Sequence, residues 1–142
     1  MRNKFLVILL VFVLVVLGTA NVFAVSTADM EQATLMMKNF KLDIQDCPTL
    51  EEVAKKQFID VRWSNPGGGD DFYCYAKLMG VQQNHEVFSV IFRYDIENKS
   101  VEPFSLRIGQ KLYVKMDVIQ KYLVKFYATE CEELRRMPQQ NN

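Results

Sequence analysis

The sequence predicts an α+β fold: an antiparallel meander of four strands, or five, packed against N-terminal helices and a long C-terminal helix. Three observations carry this. Residues 60–108 alternate apolar and polar side chains with a period of two, in runs separated by turn-forming segments. The segments before and after them step by three and four instead. No linker, internal repeat or shift of composition divides residues 25–138, which therefore read as one domain of ordinary size.

The first element is a leader. Arg2 and Lys4 precede an unbroken apolar run from Phe5 to Leu17, and Val22 and Ala24 occupy the −3 and −1 positions of a cleavage site. This is the three-part pattern of a secretory signal peptide over residues 1–24. The run holds 13 residues, short of the ~20 that span a bilayer. Retention as an uncleaved anchor is the competing reading, and the one expected contact with a membrane. Loss of Arg2 and Lys4 takes two from 17 basic residues and none from 17 acidic ones, a balance of about −2. Such a balance gives no global attraction for nucleic acid.

Next comes a helix from Ser26 or Thr27, with Asp29 in its first turn and Met30, Ala33, Met37 and Phe40 along one face. The methionines read as packing residues rather than as a soft binding surface. Phe40, Leu42 and Ile44 alternate as in a brief strand. Thr49 with Glu52 three positions on is a capping box, opening a second helix over 49–58.

Four strands follow. They carry Val61 and Trp63; then Phe72, Cys74, Ala76 and Leu78; then Phe88, Val90, Phe92, Tyr94 and Ile96; then Phe104, Leu106 and Ile108 on the buried side. Trp63, Phe72, Leu78, Phe88, Val90, Phe92, Phe104 and Leu106 are the expected core. Gly109 ends the last strand. Leu112, Met116, Ile119, Leu123, Tyr127, Cys131 and Leu134 form the clearest amphipathic stripe, so the closing helix is expected from Leu112 to about Leu134. Pro138 stops it, and 139–142 read as a disordered tail.

Catalytic and metal chemistry find little support. The glycines at 67–69 lead into Asp70, Asp71 and a strand, not into the lysine and helix of a phosphate-binding loop. They lack the ligand spacing of a calcium loop, and read as the bend of a hairpin. His85 is the single histidine and falls in a predicted surface turn. Glu51-Glu52 and Glu132-Glu133 sit on predicted helices among charges, unlike the sheltered carboxyl of a general acid. Asn98-Lys99-Ser100 matches a glycosylation acceptor that is meaningful only in a eukaryotic secretory route. No cofactor, metal site or catalytic residue is expected.

Three cysteines allow three pairings, each leaving one thiol over, or three buried thiols. Cys47 with Cys131 is the preferred pair, because both lie outside the central strands. A nucleophilic cysteine remains an alternative, although Cys74 is placed on a buried strand face.

The alternation gathers Arg62, Tyr73, Tyr75, Lys77, Ile91, Arg93 and Arg107 on the other sheet face. Tyrosine and arginine are enriched at binding hot spots. This face either docks a protein partner or lies half-covered by the methionine-bearing first helix, and the second, structural use is preferred.

Thr49-Leu50-Glu51-Glu52-Val53, then Phe58 and Trp63, then the acidic turn at Asp70-Asp71 resemble small exported bacterial α+β domains, in which such a helix runs to a Phe…Trp pair and into a sheet. "VIFRYD" and "FSLRIGQ" resemble two of their strands, and the resemblance covers about residues 48–130. It departs at Ile108-Gly109, where that family favours Asn-Gly, and in the glycine-rich first hairpin. The resemblance implies an exported domain and brings no catalytic residues with it. The expected role is an exported, non-enzymatic protein-binding module (an inhibitor, immunity protein or adaptor) in the cell envelope or outside it. A cysteine-dependent enzyme and a structural envelope protein are the alternatives.

Overall fold

A computed structural model describes residues 25–44 and 46–131. The signal-peptide segment, Glu132-Glu133, Leu134, Pro138 and the tail lie outside the described residues. Two helices, α1 (Thr27–Lys38) and α2 (Leu50–Gln57), precede strands β1 (Asp60–Ser64), β2 (Tyr73–Val81), β3 (Val87–Asp95), β4 (Ser100–Ile108) and β5 (Lys111–Tyr113), and α3 (Met116–Ala128) follows. The strands form one antiparallel sheet in the order β1-β2-β3-β4-β5. The fold is therefore α+β with an antiparallel meander.

Each helix begins where its sequence satisfies the orphan amides of the first turn. Ser26 caps α1 by accepting from the Asp29 amide at 3.1 Å. Thr49 and Glu52 form the reciprocal capping box of α2, with the Thr49 amide donating to Glu52 at 2.8 Å. Glu51 bridges to Lys55 at 3.1 Å and to Lys38 of α1 at 3.6 Å, tying the two helices together.

One sheet face is dry. Cys74, Ala76 and Leu78 of β2, Phe88, Val90, Phe92 and Tyr94 of β3, and Leu106 of β4 are buried. Over them lie Ala33 and Met37 of α1, Leu50, Val53 and Ala54 of α2, and Ile119, Leu123, Phe126 and Tyr127 of α3. α1 rests against β2 and α3 against β4. Phe58, Phe88 and Phe126 meet with ring centroids 5.0–5.3 Å apart, joining the end of α2 to the sheet and to α3. The fully buried Tyr127 donates its hydroxyl to the Phe40 carbonyl at 2.9 Å. The Gln57 side-chain amide donates to the Phe126 carbonyl and to Thr129 at the end of α3. Cys47 and Cys131 form a disulfide with Cα atoms 5.1 Å apart, and Cys74 is free and buried.

The structure corrects several expectations. Phe40–Ile44 is not a strand. The fifth strand is Lys111–Tyr113, made by the turn at Gly109 and Gln110, where Gly109 takes a φ of 58°. α3 accordingly starts at Met116 rather than Leu112, and it ends at Ala128, well before Leu134. Leu112 matched the helical stripe by spacing alone, and on its strand it is 57% exposed. Phe72 precedes the first ladder rung and is exposed. Phe104 also points away from the core. Ile91 faces Ser105 and Phe92 faces Pro103, so Phe104 is the extra residue of a bulge and leaves its predicted face. Trp63, on the outermost strand β1, is only half-buried.

Phe58 packs directly over Gly80, where a Cβ would lie 2.2 Å from its ring. Gly80→Ala is expected to cost about 1–3 kcal/mol through overpacking. Part of that loss should return in a Phe58→Leu background, as measured by a double-mutant cycle of urea unfolding.

Three carboxyls are held below their ordinary values. Glu51 is lowered chiefly by its hydrogen bond with Lys55, Glu52 by the Thr49 amide and Asp95 by the Asn98 amide. A carboxyl with a depressed folded-state pKa binds fewer protons than in the unfolded chain. Its stabilisation is therefore full above its unfolded value and is lost as pH falls. Stability should drop below about pH 4.5. Glu52→Gln should make the fall of stability below about pH 4.5 shallower, read from urea midpoints.

Candidate functional site

Because residues paired across an antiparallel sheet share a face, the register assembles the outer surface in rungs. One rung joins Tyr75, Arg93 and Glu102, the next Lys77, Ile91 and Ser105, and the next Arg62, Met79, Ser89, Arg107 and Leu112. Tyr73 lies one rung beyond Tyr75, opposite Asp95. All seven residues gathered from the sequence on this face, Arg62, Tyr73, Tyr75, Lys77, Ile91, Arg93 and Arg107, thus stand on one side of the sheet. α1 does not cover it. The Cys74 thiol donates to the Asp29 carbonyl of α1 at 3.6 Å from the opposite face, so the half-covered arrangement is overturned.

Within this face the residues separate into two groups. The first is an aromatic clamp on Arg93, whose guanidinium lies 4.7 Å from the Tyr73 ring centroid and 5.8 Å from that of Phe104. Tyr75 and Phe104 stand 5.3 Å apart. Glu102 accepts from Arg93 Nε at 2.9 Å, and that hydrogen bond raises the arginine's pKa further. The clamp holds a long, rotamer-rich side chain in one arrangement.

The second group surrounds a hollow of about 250 Å³ lined by Lys77, Ser89, Ile91, Ser105, Arg107 and Leu112. Ser89 and Ser105 form its floor and are 8% and 9% exposed. Arg62 stands apart on β1, paired with Asp60 at 3.0 Å.

Sequence pattern put Phe104 on the buried face and Leu112 on the closing helix, and it set Ser89 and Ser105 on this face without revealing their shelter. Pro103 was the available signal for Phe104, because proline inside a strand marks an edge or a bulge. The two serines looked like ordinary polar residues of the wet face. Their shelter comes from the long side chains around them, which no periodicity encodes.

The remaining candidates have structural duties. Asp70 accepts from the Phe72 and Tyr73 amides, each at 2.8 Å, and so closes the bend after the glycines. Gly69 has a φ of 113°, and a Cβ there would meet the Tyr73 carbonyl at 2.5 Å. Asn65 donates to the carbonyls of Met30 and Tyr75, both at 3.0 Å, and so ties α1 to the loop. His85 holds a left-handed turn with a φ of 64°. Asn98 donates to Asp95 and helps close the β3–β4 turn. Among the described residues no group of three His, Cys, Asp or Glu side chains could hold a metal ion, and no helix is long and apolar enough to cross a membrane.

Burial pushes the Cys74 thiol up to about 11, with Asp29 adding to the shift, which disfavours the reactive thiolate. Native protein should therefore show almost no reaction with a maleimide label at neutral pH. One thiol per chain should react after addition of denaturant without reductant, as counted by mass spectrometry. Rapid labelling of Cys74 in the native state would restore it as a nucleophile.

Compared with family models, with curated proteins and with solved structures, the chain matches none of them.

Proposed function

We propose that the protein is an exported, non-enzymatic binding module that docks a protein partner through the outer face of its sheet. The carrying observation is the clamp of Tyr73, Arg93, Phe104 and Tyr75, which no described helix covers. It is a preorganised set of the residue types that dominate protein–protein hot spots. Export is supported by the leader-like pattern of residues 1–24 and by the resemblance of residues 48–130 to small exported bacterial domains. The role fits an inhibitor, an immunity protein or an adaptor, each of which needs a rigid surface and no catalytic set. The sequestered Cys74 gives the cysteine-dependent alternative no accessible nucleophile.

The double variant Tyr75→Ala, Arg93→Ala tests this reading. Both side chains lie outside the core, so circular dichroism should report an intact fold. Capture of a specific partner from an envelope fraction by the wild-type protein should fall roughly tenfold or more in the variant. Capture by the double variant at wild-type strength would remove this face from the function.

A further inference from the structure

The outer face holds a second feature that the aromatic clamp does not use. Lys77 and Arg107 reach the same hollow from β2 and β4, over the hydroxyls of Ser89 and Ser105. Arg62 and Arg93 each have a carboxylate partner, Asp60 and Glu102. No carboxylate among the described residues lies within 4.0 Å of Lys77 or Arg107. Two cations without acidic partners among the described residues, beside two sheltered hydroxyl donors, make a site with spare donors. An arginine fork and an ammonium over hydroxyl donors complement a carboxylate oxygen pair. The rim is not wholly polar. Ile91 and the exposed Leu112 offer apolar contact to whatever carries the anion.

We propose that this hollow is a carboxylate-recognition subsite that takes an acidic side chain, flanked by an apolar residue, from the polypeptide docked on the sheet. Bare nucleic acid fits less well, because two free cations on a chain of zero formal net charge supply little of the electrostatic term it needs. The subsite deepens the docking reading and rests on it, yet it is tested without a partner. The hollow and the clamp occupy different rungs of the sheet, so they are separable by mutation.

The experiment titrates purified protein with an acetylated Glu-Val-Glu peptide amide at low salt, following backbone amide NMR shifts. Its controls are the Gln-Val-Gln peptide and inorganic phosphate. The expected result is saturable shifts centred on Ser89, Ile91, Ser105 and Arg107 with the acidic peptide alone. Arg107→Gln and Lys77→Gln should each weaken binding about tenfold, as loss of a charge-assisted hydrogen bond does, with the rest of the spectrum unmoved. Added salt should weaken it further, and Lys121→Gln, exposed on α3 over the opposite face of the sheet, should leave it unchanged. Equal binding of the Gln-Val-Gln peptide, indifference to both cation variants, or an absence of localised shifts would overturn the proposal. Phosphate moving these amides while the acidic peptide does not would assign the hollow to a free oxyanion and overturn it equally. Peptide binding that survives alongside wild-type partner capture by the Tyr75→Ala, Arg93→Ala variant would sink the aromatic clamp and leave the subsite standing.

Discussion

Successive side chains of a strand point to opposite sides, so a single sheet must bury one face or lose its reason to fold. Here the nine-residue strands β2 and β3 place Cys74, Ala76, Leu78, Phe88, Val90, Phe92 and Tyr94 on the dry side. Three helices share the work of covering it. All the described helices lie on that side, so none of them covers the opposite face. The surface is thus a by-product of the way the core is closed, and its contents are set by the alternate positions of the same strands.

Much of the fold was legible because local and global signals agree. Thr49 and Glu52 cap a helix whose apolar positions Leu50, Val53 and Ala54 enter the core. The period-two rhythm places Tyr73, Tyr75, Lys77 and Arg93 together without any knowledge of register. Misreadings arose where two periodicities overlap or where the chain slips by one. Leu112 and Met116 satisfy a helical spacing, yet the turn at Gly109 sends Leu112 into a strand. Phe104 obeys the alternation in sequence but not in space, since the bulge at Pro103 adds a residue that the partner strand lacks. The clamp around Arg93 follows from that slip, and the shelter of Ser89 and Ser105 follows from neighbours on other strands. Neither is written in a local pattern.

The bulge also bears on solubility. β5 pairs only with residues 106–108 of β4, so the remainder of that strand has no partner on its outer edge among the described residues. An unpaired edge is a template for association with another chain. Pro103 lacks an amide hydrogen, and the bulge beside it breaks the spacing of the ladder. The same irregularity that turns Phe104 outward therefore makes this edge a poor site for strand addition.

The bond between Cys47 and Cys131 spans 84 positions and encloses α2, α3 and all five strands in one covalent ring. A crosslink of that span removes roughly 4–5 kcal/mol of loop-closure freedom from the unfolded chain in the entropic description. It has a further consequence for protease attack. The exposed segment at 65–71 is the natural place for a nick, and it lies inside the ring. A single cut there yields no separate fragments: both pieces stay joined until a reductant opens the bond.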